Sequence, residues 1–225
     1  MAINLAQKQK PKKMFLVSHR EILIIFCAFL VLAVGWLFPI RSVAESLFAA
    51  LVFFLIFPLL IAKFLLKEPL ENFGLGRGNF KAGAIAALLL AAVGLAAMIF
   101  LTKIPAMRNQ IRLLPGIAGS FSFFLAAELV VAPAIFFSRE FFFRGFLQLG
   151  LKEKMGNYAI FLQAVLSALL FLKSSWLELA YAFFSALAAG FAVKFSRSIY
   201  YSFLALWIIS LIVDIIIIRM AFQGM

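Results

Sequence analysis

Ser138-Arg139-Glu140-Phe141-Phe142-Phe143-Arg144-Gly145-Phe146-Leu147 sets three formal charges inside an otherwise apolar neighbourhood. Before it, from Pro115 to Phe137, the only charged residue is Glu128. A bilayer core about 30 Å thick is crossed by about 20 largely apolar residues of helix, so 114–138 reads as a membrane span. Six further stretches have the same character: 22–40, 46–62, 82–102, 157–172, 174–193 and 198–218. In lipid only helices or closed barrels satisfy their own backbone polar groups, and uninterrupted apolar runs lack the alternation of barrel strands. The expected fold is therefore all-α, a polytopic transmembrane helix bundle of seven spans. An eighth span follows if the tail after Asp214 turns back or if 114–138 breaks at Pro133.

Charge placement orients these spans. The chain carries 21 Lys and Arg against 9 Asp and Glu, a net charge of +12, with 66% hydrophobic residues. Counted on alternate sides of seven spans, one side receives 15 basic residues: the amino-terminal tail, the 63–81 and 139–154 loops and the 194–197 turn. The other side receives six, Arg41, Lys103, Arg108, Arg112, Lys173 and Arg219. Excess Lys and Arg mark the cytoplasmic side, so the amino terminus is expected inside and the carboxyl terminus outside. The positive charge then needs no nucleic-acid partner, and the cluster Lys8, Lys10, Lys12 and Lys13 sets topology or meets anionic headgroups. Residues 1–20 read as a basic cytoplasmic tail and 21–225 as one membrane-embedded helical domain. The first apolar run, about 19 residues, exceeds the 7–15 of a signal-peptide core, so it reads as a retained span despite the cleavage-like Ser42-Val43-Ala44. Cys27 is the single cysteine and His19 the single histidine, so no internal disulfide, metal cluster or other cofactor is implied.

Several residues stand out on chemical grounds. Glu140 and Arg144 are spaced i, i+4, where opposite charges on a helix meet. Ionisable residues inside spans are costly and point to function, which singles out Glu128 and Asp214 as an intramembrane polar site. Glu128 shares a helical face with Arg139 eleven residues later, but about 16 Å of helix rise separates them, so direct pairing needs a kink at Pro133. Asp214 follows Ser210 by four and Leu206 by eight, on one face; it is either part of an interior polar site or a solvated residue near the outer end of the last span. Lys173 and Glu178 read as surface charges of an outer loop. Phe141-Phe142-Phe143 wraps more than one helix face, so at least one ring must meet protein, and a partner subunit is one source of it. The loop Gly74-Leu75-Gly76-Arg77-Gly78 follows no strand, the wrong context for a dinucleotide fingerprint, and reads as a turn between spans two and three.

The decapeptide resembles the signature of the CPBP family, intramembrane proteases that include CAAX prenyl endopeptidases and bacteriocin-processing enzymes. There Glu-Glu-x-x-x-Arg is followed by Gly-Phe-Leu. The resemblance extends over roughly residues 70 to 215. It implies that the first glutamate activates a water, that two histidines on later helices bind or polarise the scissile carbonyl, and that an Asn or Asp four residues beyond the second histidine completes the site. Mapped onto this chain, Arg139 stands at the first glutamate, while Glu140 and Arg144 match the second glutamate and the arginine. The Phe-x-x-x-His frame over Phe171-Leu172-Lys173-Ser174-Ser175 puts Ser175 at the first histidine. The His-x-x-x-Asn frame, led in by Ser198 to Leu204 and by Gly190 on the preceding helix, puts Leu206 at the second histidine and Ser210 at the Asn. A guanidinium stays protonated and cannot be a base. The resemblance thus implies a vestigial catalytic site in a protein of the bacterial cytoplasmic membrane. Three functions are expected from it: a non-catalytic binder of a membrane protein, peptide or lipid acting as scaffold, chaperone or immunity-type factor; an endopeptidase with Glu140 as base; or a transporter or channel subunit.

Overall fold

A computed structural model describes residues 19–38, 42–104 and 121–223. Lys8, Lys10, Lys12, Lys13, Arg41, Arg108 and Arg112 lie outside the described residues. Among the described residues seven long helices follow in order: α1 (His19–Leu37), α2 (Val43–Leu65), α3 (Phe80–Thr102), α4 (Phe121–Met155), α5 (Tyr158–Leu169), α6 (Trp176–Ser196) and α7 (Tyr200–Gln223). No strand occurs among the described residues. All but α5 are long and apolar enough to cross a membrane; α5, expected as a span over 157–172, is a 12-residue helix paired with α6, too short by itself to span, so six of the seven expected spans are found. The protein is a polytopic helical bundle.

Local chemistry explains the helix ends. Ser42 begins α2 through a capping box, its hydroxyl accepting from the Glu45 amide and the Glu45 carboxylate accepting from the Ser42 amide, which satisfies two orphan donors at once. The cleavage-like Ser42-Val43-Ala44 is thus a helix start. Asn79 caps α3 and Ser175 caps α6 in the same manner, by accepting a backbone amide three residues on.

Two expectations about the central helix change. The eighth span does not arise, because α4 runs unbroken through Pro133 and α7 continues past Asp214 to Gln223. The turn over Ala127–Val131 is widened to π geometry, which accommodates the hydrogen bond that a proline cannot donate. The 139–154 stretch, expected as a loop, is helix throughout. Its turns from Phe141 to Leu149 are π-widened and buried on every side. The walls around them are Ile24 and Cys27 of α1, Phe54 and Ile61 of α2, and Phe73 from a short turn at Leu70–Phe73. Phe141, Phe142 and Phe143 are at most 1% exposed, with Phe142 edge-on to Phe54 at 5.2 Å between ring centres. The chain's own core therefore covers the three rings, and no partner subunit is needed to do so.

Two glycines allow the close approaches that build this core. A Cβ on Gly145 would lie 2.5 Å from the Phe73 carbonyl oxygen, so the Gly of the Arg-Gly-Phe-Leu run is where the 70–75 loop presses onto α4. A Cβ on Gly190 would meet Gln163 Nε2 at 2.6 Å and Ile160 at 2.7 Å. There α6 packs onto α4 and α5 so closely that Gln148 and Gln163 donate to the carbonyls of Gly190 and Ala186, each at 2.8 Å. Small residues at such crossings let helix backbones approach within lipid.

Candidate functional site

The charged residues of the decapeptide project from the middle of α4. Glu140 Oε1 lies 2.8 Å from Arg144 Nη1, the i, i+4 contact that the spacing predicts. The other oxygen, Oε2, accepts a 2.6 Å hydrogen bond from Ser202 Oγ on α7. Glu140 and Arg144 are 1% and 4% exposed. Two charges so far from water are tolerated because each compensates the other and a hydroxyl takes up the remaining carboxylate oxygen.

Arg139 points elsewhere. It lines a cavity of about 360 Å³ whose floor includes Glu140 and Arg144. Among the described residues its Nε has no hydrogen-bond partner and its guanidinium no ion pair. One wall comes from α7, with Leu206, Ser210 and Asp214 facing inward, and another from α6, with Glu178, Tyr181 and Ser185. Met98, near the end of α3, and Phe171, just past the end of α5, also line it, so the cavity runs from the charged middle of α4 toward the end of the bundle where α6 begins.

Of the positions mapped from the sequence, Arg139, Glu140, Arg144, Leu206 and Ser210 therefore share one cavity. Ser175 does not line it. Its hydroxyl caps α6 at the exposed turn Lys173-Ser174-Ser175, because α5 stops at Leu169 and the chain then reverses. Ser167 and Phe171 reach the cavity from that part of the chain instead. Glu178, read from the sequence as a surface charge, lies on the inner side of the first turn of α6 and is corrected to a cavity residue. Lys173 is exposed, its ammonium 5.1 Å from the centre of the Trp36 ring.

Glu128 and Asp214 come together. Their carboxyl groups face each other between α4 and α7, with Ser210 one turn before Asp214. Trp207 Nε1 donates to the Glu128 carbonyl at 2.9 Å, a backbone acceptor within the widened turn. Glu128 thus finds its partner on α7 and not in Arg139, and Asp214 takes the interior reading of the two left open. Four polar residues of the site escaped sequence reading: Ser167, Tyr181, Ser185 and Ser202. For Ser202 a signal existed, since it lies four residues before Leu206 and eight before Ser210 on the same face of α7.

Residues 119–212 match the family model described as "Rce1-like: Type II CAAX prenyl endopeptidase Rce1-like". No curated protein and no solved structure gives a significant match to the chain. Over the stretch from α4 to α7, which supplies nearly all of the cavity wall, the chain is similar to the Rce1-like type II CAAX prenyl endopeptidases, a membrane branch of the CPBP family.

Proposed function

We propose that this protein uses its protease-like cavity to bind and not to cleave, holding a membrane-protein, peptide or lipid partner as a scaffold, chaperone or immunity-type factor of a bacterial cytoplasmic membrane, with its amino terminus inside. One observation carries the reading: Arg139 occupies the place of the water-activating glutamate and faces the cavity, while the single histidine of the chain, His19, opens α1. Peptide hydrolysis needs a group that accepts a proton near neutral pH and donors placed where the oxyanion develops. Arg139 cannot accept a proton, and Leu206 offers only methyl groups where the resemblance asks for an imidazole.

An endopeptidase using Glu140 is the second reading, because Glu140 is a cavity carboxylate. Against it, one carboxylate oxygen is held by Arg144 and the other by Ser202. A transport role has less support, since the polar residues form one pocket.

The test is a fluorogenic cleavage assay on detergent-purified protein, using a prenylated CAAX peptide and a bacteriocin-type leader peptide. Wild type is expected to match the no-enzyme blank. Turnover by wild type that disappears in Glu140→Gln overturns the binding reading and makes Glu140 the base.

A further inference from the structure

A second hollow, of about 390 Å³, lies beside the cavity on the lipid-facing side, between α3, α6 and α7. Its lining is almost wholly apolar, with Leu89, Val93, Phe184 and Phe195 more than 60% exposed. Tyr181, Ser185, Leu206 and Ile209 line both hollows. An apolar groove therefore lies against the chamber that holds Arg139, with these four side chains between them.

We propose that the two hollows form one site for a long-chain carboxylic acid, its carboxylate on the Arg139 guanidinium and its hydrocarbon chain in the groove between α3, α6 and α7. The proposal rests on the reading that the cavity binds without cleaving. Three observations select this occupant. First, Arg139 is a cation without an ion pair among the described residues and with an unmet Nε donor. A guanidinium pairs best with a carboxylate or a phosphate, in a two-point fork. Second, Asp214 and Glu178 line the same cavity, so a second negative charge on the ligand would meet repulsion. That favours a monoanion over a phosphate monoester, which carries about −1.5 to −2 at neutral pH. Third, the adjoining groove is almost wholly apolar and exposed, which suits the hydrocarbon chain of such an acid and not the polar backbone of a peptide.

The experiment is equilibrium binding of radiolabelled palmitate to the full-length protein in a nonionic detergent, with hexadecanol, octanoate, phosphatidylglycerol and a hexapeptide bearing a free carboxyl terminus as comparison ligands. Palmitate is expected to bind at one per chain and at least about tenfold tighter than hexadecanol, the scale of a charge-assisted hydrogen bond. Octanoate, too short to fill the groove, is expected to bind more weakly than palmitate. Arg139→Gln should remove that preference and leave hexadecanol binding unchanged, while Arg139→Lys should retain part of it. Ala188→Phe, placed at an exposed groove position, should weaken palmitate and hexadecanol alike. Unchanged palmitate binding in Arg139→Gln overturns the proposal, as does tighter Arg139-dependent binding of phosphatidylglycerol or of the peptide. Cleavage in the peptide assay would sink the binding reading itself; absent palmitate binding in a protein that also cleaves nothing sinks this inference alone.

Discussion

Ser202 on α7 donates a 2.6 Å hydrogen bond to Glu140 on α4, and Glu140 in turn holds Arg144 at 2.8 Å. Three residues of the protease-like site thus form a closed structural clamp between two helices. Removing one member of a buried ion pair costs about 3–5 kcal/mol because the other charge is left uncompensated. Glu140→Ala is therefore expected to lower the thermal midpoint in detergent sharply, whereas Glu153→Ala, at an exposed site, should stay within about 0.5 kcal/mol of wild type. Ser202→Ala should fall between them, at about 1–3 kcal/mol for a buried acceptor left unmet. Equal midpoints for the Glu140 and Glu153 variants would refute the clamp.

A second prediction separates the glycines by what surrounds them. At Gly145 an added Cβ would sit 2.5 Å from the Phe73 carbonyl oxygen, an atom of backbone that cannot swing aside; at Gly35 the nearest atom, in Phe54, is 4.0 Å away. Gly145→Ala should destabilise by displacing the 70–75 loop, whose Gly74 carbonyl accepts from the Ile199 amide at 3.1 Å. Gly35→Ala should be neutral or stabilising by up to about 1 kcal/mol, the helix-propensity difference. Thermal midpoints of the two variants, measured side by side, check the ordering.

These cases show how far the sequence could be read. The all-helical class, six of the seven expected spans and the Glu140–Arg144 contact were legible because each depends on apolar run length or on helix spacing, which are local properties. The helicity of 139–154 was hidden: charges at Arg139, Arg144, Lys152 and Lys154 read as a loop, although Arg144 pairs with Glu140 inside one continuous helix. Glu128 and Asp214 were each recognisable as expensive, yet their meeting depends on how α4 crosses α7, which no spacing within either helix encodes. Ser175 failed for the opposite reason. Its motif frame held in sequence, but α5 ends at Leu169, six residues before it, and does not carry it inward.

Outside the spans, Glu68 takes a two-point contact from Arg20, with Arg20 Nη2 at 3.1 Å from Glu68 Oε2. The hydrogen bond from Arg20 is the main cause that holds the Glu68 carboxyl below the usual glutamate value of 4.5, with burial opposing it. A depressed carboxylate stabilises the fold above its unfolded value and loses that contribution as pH falls through the lower, folded value. Wild type should therefore be more stable than Glu68→Gln at pH 7, and the difference should shrink as pH is lowered below about 4.5. The partial exposure of both side chains keeps the effect small. A pH-independent gap between the two proteins would count against the ion pair.

Orientation can be tested at two turns. With Arg139 and Arg144 inside α4, the basic residues outside the helices still favour the side that holds the 63–81 loop and the 194–197 turn, and the positive-inside rule leads us to expect that side in the cytoplasm. A reporter fused after Lys194 is expected inside and one after Lys103 outside. Opposite results at both sites would invert the assignment.

The last prediction concerns repair of the motif. Arg139→Glu restores Glu-Glu-x-x-x-Arg in sequence, but the positions mapped to the two histidines stay Ser175 and Leu206. The cavity adds to that argument. Ser175 caps α6 away from it, Leu206 presents methyl groups to it, and His19 lies at the start of α1. Loss of a single oxyanion donor typically costs about 10² to 10³ in rate, and here the imidazoles at both mapped positions are absent. The substitution also replaces a cavity cation with a carboxylate beside Glu140, in a chamber that already holds Glu178 and Asp214. Like charges in a poorly solvated site repel strongly. Arg139→Glu is therefore expected to show no cleavage of either peptide and a lower thermal midpoint than Arg139→Gln. Measurable turnover in Arg139→Glu, with no histidine added, would mean that the water-activating carboxylate suffices, and that this site lost its chemistry through one residue alone.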